Sequence, residues 1–471
     1  MRPRKIHWRP TLSVVRLKPI NSMESDNLCL PTGKGPTLRR ELGPRHLTLF
    51  AISSVIGTRP LAEAAHAGPS SVVLWILAVA GVLMPLGIAC VALTVRYPGC
   101  GGLYVWTRNN FEPWHGFLCF WVYWVGIAFW FPAATMMYAS VAIYGLSARC
   151  AHLVDDRSCV LIASVVTIWV ALGTNLVGLK IGKWTENLGS DLCMAPLARV
   201  GSGSIGCLEA QWQRYSHSDS PEVGLGNASF WPNIAFEVTG IELLGMMGDE
   251  IVDPKRNVPR ATLASCAFGC VFYIVMTLAL LVLSRPEKIS ELYGLAEGGS
   301  VAARLLSAPL LRPLVAVLIL GNALGQLGSC GTGVSRLPLA AGVDKLLPAA
   351  FGRVHPRWAT PHNSILLLGL VSSLILIAIQ MSDSLRAAYQ LLVSLMAVGS
   401  FLPFLYIYAS TWKAGWRVTA LVGITTTLIV LACSAIPTGS VASVWLFESK
   451  LAAGTFGMIG SAWLGSGRPR H

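Results

Sequence analysis

Charge is scarce in this sequence. Only 13% of its 471 residues are Asp, Glu, Lys or Arg, against about a quarter in an ordinary soluble domain. Motifs of familiar catalysis are absent too: there is no HExxH metal site, no GxSxG elbow and no P-loop, so a membrane-embedded enzyme has little support. Histidines are few; His355 and His362 flank a basic loop and His66 stands alone. None of the twelve cysteines forms a CxxC pair, and they are scattered through apolar segments. Cys266 and Cys270, spaced i, i+4, read as small hydrophobes on one buried helix face, not as disulfide or metal ligands. No metal or cofactor is expected. The first 40 residues hold no apolar signal core; polar and basic, they read as a disordered cytoplasmic tail.

What the sequence has in abundance is apolar length. Hydrophobic residues make up 54% of the chain and its mean hydropathy is +0.59. Runs of roughly 20 apolar residues, enough to cross a hydrocarbon core of ~30 Å, recur along it. They fall at about 47–67, 71–95, 115–146, 158–179, 229–251, 261–284, 310–334, 362–381, 387–410, 417–436 and 443–465. The chain therefore reads as an all-α polytopic membrane protein in the lipid bilayer. The net charge of +13 lies between these runs and in the first 45 residues. That is the placement of retained cytoplasmic loops, and no basic face interleaves with aromatics as nucleic-acid binding would need.

Topology adds one crossing. With the basic tail inside, Arg96, Arg108, Lys180 and Lys183 also fall inside. Lys255, Arg256, Arg260, Arg336, Lys345, Arg353, Arg357, Lys413, Arg417, Arg468 and Arg470 follow only if a further helix lies between Lys183 and Phe230. The expectation is about twelve helices with both termini cytoplasmic. The fifth helix, near 185–208, is degenerate, because Asp191, Arg199 and several glycines make it a poor membrane segment.

Two spans carry breakers at mid-depth. The first reads "LTLFAISSVIGTRPLAEAAHAGP", where Ser53, Ser54, Gly57, Thr58 and Pro60 weaken a continuous helix. The other reads "AFEVTGIELLGMMGDEIVDPKRNVPRA", with Thr239 and Gly240 at its middle. They are spans one and six once the degenerate helix is counted. Matching breaks in two five-helix halves are the mark of an inverted-repeat transporter with a midplane site. An unwound turn frees N–H groups for a substrate carboxylate and carbonyls for an ammonium or a coupling cation. Such backbone is tolerated at membrane depth only inside protein or along a cavity. The plainer alternative is that Gly57 and Gly240 only let helices pack closely.

Glu237 and Glu242 flank the second break. On a regular helix they would point about 140° apart, so one can face the cavity while the other meets a neighbouring helix. A carboxylate in this setting can exchange a proton. Glu242 is favoured for proton or conformational coupling; Glu237 is a second candidate, with a structural hydrogen bond as its alternative. Asp249 and Glu250 are expected near the cytoplasmic interface, paired with Lys255 or Arg256. Asn322 and Gln326, at i, i+4, either line the cavity or make an interhelical hydrogen bond.

From about 38 to 465 the sequence resembles the amino acid–polyamine–organocation superfamily of permeases, which have a LeuT-like fold. Four pieces carry the likeness: the broken first span followed by "AAHAGPSSVVLW", then "YPGCGGLYVWTRNNF", "GIELLGMMGDEIVDPKRNVPRA" and "SRLPLAAGVDKLLPAAFGRVHPRWATPHNS". The resemblance implies a LeuT-like 5+5 inverted repeat plus two C-terminal helices. Residues 1–40 would be the tail and 41–228 the first repeat, with degenerate helix five and an extracellular loop at 185–228. Residues 229–410 would form the second repeat, and 411–471 two C-terminal helices with a short basic tail. It also implies a plasma-membrane permease that moves amino acids or related amines by proton symport or exchange, through alternating access. A Gly-Ser-Gly-like turn that cradles the substrate carboxylate in the family maps here to Ser54, Val55 and Ile56, followed by Gly57, and its glycines are missing. Phe236 matches the family's helix-six gating aromatic and Glu242 its Gly-x-Glu carboxylate. Candidate substrate-binding residues are thus Ser53, Ser54, Val55, Ile56, Gly57, Thr58, Phe236, Thr239 and Gly240. Two carboxylates without an obvious cavity cation favour a neutral or cationic amino acid or a polyamine; Arg59 beside the break would reverse that preference. The competing readings are a polyamine transporter of this fold and a non-transporting membrane protein on this scaffold, either a sensor or a product inactivated by the damaged 185–228 stretch.

Overall fold

Hydrocarbon offers no hydrogen-bond partner, so a long apolar run must satisfy its own backbone, and the helix does this within one segment. The computed structural model follows that rule. It describes residues 38, 40–146, 151–177, 230–284, 289–380, 385–436 and 443–465, with 69, 291 and 306 excepted, and all the regular elements in them are helices. The expected degenerate helix at 185–208 lies outside the described residues.

In chain order these are α1 (Pro44–Val55), α2 (Arg59–His66), α3 (Ser70–Ala78) continuing through a π turn into α4 (Met84–Arg96), α5 (Gly102–Asn110), α6 (Pro113–Leu146) and α7 (Arg157–Leu176). Beyond the undescribed stretch come α8 (Trp231–Glu237), α9 (Leu243–Met246), α10 (Pro254–Leu283), α11 (Gly294–Leu305), α12 (Leu311–Val334) and α13 (Arg336–Val343). The last four are α14 (His362–Gln380), α15 (Leu385–Lys413), α16 (Arg417–Cys433) and α17 (Val444–Gly465). Among the described residues seven helical segments are long and apolar enough to cross a membrane, and Arg417–Cys433 is a shorter apolar one. The chain is a polytopic helical membrane protein.

The middle of the molecule is held by α6 against α15. Gly126 and Gly399 meet there backbone to backbone, and a Cβ on Gly126 would lie 2.7 Å from the Gly399 carbonyl carbon. Small residues allow this approach where lipid supplies no hydrophobic drive between helices. At the periphery, α7 turns Ile162, Val166 and Val170 outward, and α17 turns out Trp445, Phe456 and Trp463. Buried polar residues collect instead around α1, α2, α8 and α12.

The basic connections gather at one end. Arg108 pairs with Asp344, and the Lys413 ammonium donates to the Asn110 carbonyl at 2.6 Å while lying 3.8 Å from the Phe111 ring centre.

Candidate functional site

Both mid-depth breaks are present. α1 stops at Val55, Ile56 turns extended at φ −100°, ψ 108°, and α2 begins at Arg59 with Pro60 in its first turn. Pro60 suits that place because a first-turn N–H has no intrahelical partner to lose. The second break runs from the end of α8 to the start of α9, with Gly240 at φ +105°. The two breaks interlock: a Cβ on Gly240 would strike the Ser54 carbonyl, and one on Gly57 would strike the Glu237 carboxylate and the Gln326 amide.

Tyr273 of α10 staples them. Its hydroxyl donates to the Val55 carbonyl at 2.7 Å, lies 3.2 Å from the Glu237 carbonyl and accepts the Gly57 N–H at 3.0 Å. The Asn322 amide donates to the Ile56 carbonyl at 3.3 Å. Of the named candidates, Ser53, Ser54 and Val55 remain in the last turn of α1, and the unwound residues are Ile56, Gly57 and Thr58. The turn matched by resemblance to Ser54, Val55 and Ile56 thus overlaps the unwound residues only at Ile56. Thr239 closes α8 by donating its hydroxyl to the Phe236 carbonyl at 2.6 Å.

A buried ionic cluster sits against these breaks. Arg59 is fully buried. Its Nη2 donates to Glu237 Oε2 at 3.1 Å, and its Nη1 donates to the Tyr389 hydroxyl at 3.3 Å and lies 3.7 Å from Glu63 Oε1. Tyr389 in turn donates to Glu63 Oε1 at 2.7 Å. The other oxygen of Glu237 accepts from Gln326 Nε2 at 3.0 Å, and Gln326 Oε1 accepts from the Tyr138 hydroxyl at 2.7 Å. Phe236 completes the group, its ring centre 5.9 Å from the Arg59 guanidinium.

Glu242 faces the other way, toward α6. It accepts the Tyr123 hydroxyl at 2.7 Å and the Gly240 N–H at 2.8 Å, and it is buried. The two glutamates thus serve different neighbours: Glu237 joins the ionic cluster and Glu242 clamps the break to α6. Asn322 and Gln326 both make interhelical hydrogen bonds, and they make them to the break itself.

One pairing differs from expectation. Glu250 does not pair with Lys255 or Arg256; it holds Arg336 at 2.9 and 3.2 Å, in a buried two-point contact. Asp249 accepts the Cys100 N–H at 3.1 Å. Bonds between Leu42 and the Glu250–Val252 backbone, both 3.0 Å, tie the chain entering α1 to this same layer. Nearby, Tyr104 donates to Asp344. Burial first and that carboxylate second push its hydroxyl above the ordinary phenol range.

Sequence reasoning did not find Glu63, Tyr138, Tyr273 or Tyr389. Glu63 carried a signal, since it lies at i, i+4 from Arg59 on one short helix. The three tyrosines carried none, because a tyrosine in an apolar span is as often packing as function.

Interlocked broken helices around a buried ionic cluster, within a polytopic membrane protein, define a membrane transporter. The chain belongs to the amino acid permease family, whose model matches residues 42–464, and this makes it a transporter of amino acids or amines. It is 25% identical to the serine/threonine exchanger SteT of Bacillus subtilis, over 70% of this chain and 74% of that protein. It is 24% identical to the probable agmatine/putrescine antiporter AguD of Lactococcus lactis, over 72% and 73%. An uncharacterized transporter of Legionella pneumophila is 23% identical over 78% and 79%.

Proposed function

We propose that the chain is a secondary active permease of the plasma membrane, with twelve helices in a 5+5 inverted repeat plus two C-terminal helices and both termini cytoplasmic. It moves amino acids or related amines by proton symport or exchange, through alternating access around the two breaks. The observation that carries this reading is the contact of the Gly57 and Gly240 breaks across the Arg59–Glu237 pair. Backbone of this kind is stable at membrane depth only where protein groups or a ligand take its polar atoms.

In the proposed orientation we take this arrangement as the occluded state of the cycle. The Arg59, Glu63 and Tyr389 cluster closes the outer side of the breaks, and Glu250–Arg336 with the Leu42 backbone closes the inner side. Glu242 is the proposed coupling group. Protonation would weaken its acceptance of the Tyr123 hydroxyl and Gly240 N–H, and so loosen the break from α6. A polyamine cargo is the second reading, favoured by two carboxylates, Glu63 and Glu237, against one arginine.

The test is uptake of radiolabelled amino acids and polyamines into proteoliposomes, with and without an inward proton gradient, beside Glu242→Gln. Gradient-driven uptake that the variant loses supports symport with Glu242 as coupling group. Uptake indifferent to the gradient but dependent on substrate inside supports exchange. No uptake of any compound by folded protein would defeat the proposal.

A further inference from the structure

Resting on the transport reading above, we propose that Arg59 binds the substrate's carboxylate, so that the chain selects zwitterionic α-amino acids over amines that lack a carboxylate.

Four N–H groups at the breaks are already engaged. The Ile56 N–H is bonded to the Ile52 carbonyl at 2.9 Å, the Gly57 N–H to the Tyr273 hydroxyl at 3.0 Å, and the Gly240 N–H to the Glu242 carboxylate at 2.8 Å. The Thr239 N–H is bonded to the Phe236 carbonyl at 2.9 Å. A carboxylate arriving here would find these four donors taken.

Arg59 offers what they do not. Among the described residues its Nε, which is buried, has no hydrogen-bond partner. Nε–H and Nη2–H run parallel along one edge of the guanidinium, spaced to take both oxygens of one carboxylate. Glu237 occupies only the Nη2 prong, because its second oxygen is turned to Gln326. The fork is half filled. An incoming carboxylate closing on Nε and Nη2 makes the two-point contact that Glu237 leaves unmade.

The displaced Glu237 then needs a cation, because a buried carboxylate stripped of its partner is costly. An α-amino acid carries that cation one carbon away from its carboxylate. One ligand therefore replaces the Arg59–Glu237 pair with two pairs, carboxylate to Arg59 and ammonium to Glu237, and Gln326 stays on the second Glu237 oxygen. A diamine brings only positive charge next to Arg59 and leaves Nε unpartnered.

The experiment compares ligands on the unmodified chain before any variant is made. Binding to purified protein is followed by thermal stabilisation for each of the twenty protein amino acids, their carboxamides, their decarboxylated amines, putrescine and agmatine. The expected result is stabilisation by one or more amino acids, with the matching carboxamide and amine weaker by roughly 10- to 100-fold, the range for losing hydrogen bonds to a charged group. The paired variant Arg59→Gln/Glu237→Gln leaves neither Arg59 nor Glu237 charged without the other. It should weaken both ligands through the loss of Glu237 and bring the amino acid to within about twofold of its carboxamide, because only the acid also loses Arg59. Amines or carboxamides binding as tightly as the acids, or a paired variant that still prefers the acid, would overturn the Arg59 assignment and leave the transport reading intact. Folded protein that neither binds nor takes up any compound would defeat both.

Discussion

Gly240 sits where an L side chain fits badly twice over, by its φ of +105° and by the Ser54 carbonyl that a Cβ would strike. Backbone held in such a region costs of order 1–3 kcal/mol for a non-glycine residue, and here the close contact adds to it. Gly240→Ala is expected to abolish uptake and to lower thermal stability in detergent; wild-type values in both would show that the breaks do not need to interlock. At the same scale, Arg336→Gln strands the buried Glu250 carboxylate. Breaking a buried pair from one side costs about 3–5 kcal/mol, so a clear fall in melting temperature is expected. The double change Arg336→Gln/Glu250→Gln should recover part of it, because the pair is coupled and its losses do not add. A double variant no more stable than the single one would assign the loss to packing.

At the scale of elements, the helices divide into a scaffold and a set that holds the site. α6 and α15 cross through Gly126 and Gly399 with almost no side chain between them. Gly399→Leu should force the two apart, at about 1–3 kcal/mol for overpacking, and should shift Tyr123 on α6 relative to Glu242. The expected outcome is reduced expression and reduced uptake; normal uptake would mean that the crossing tolerates spreading. α1, α2, α8 and α9, by contrast, are short and joined by unwound turns. Besides the Arg59–Glu237 pair, their hold on one another comes from Tyr273, Asn322 and Gln326, which belong to the longer helices α10 and α12. Short segments joined by unwound turns and held by longer helices suit a carrier that must open on either side in turn.

Across the whole molecule, composition and the length of apolar runs are enough to establish a helical membrane protein, because hydrocarbon leaves a backbone few ways to satisfy itself. The positions of the breaks were legible for the same local reason: glycine, proline and small hydroxyl residues inside an apolar run weaken a helix wherever it packs. Partners were not. Arg59 and Glu237 are 178 positions apart, and Glu250 and Arg336 are 86 apart. The nearer choice for Glu250, Lys255 or Arg256, was local and it was not the one made, since those residues lie past Pro254 in the exposed first turn of α10 while Arg336 is buried beside Glu250. Of the residues expected to weaken the first helix, Gly57 and Thr58 are unwound while Ser53 and Ser54 stay helical, because Tyr273 and Asn322 decide which carbonyls and N–H groups are satisfied outside a helix. The sequence by itself determined the solvent this chain folds in and where its helices yield. Only the tertiary structure decided which charges meet, because a buried charge pairs with whatever the packing of distant segments brings within reach.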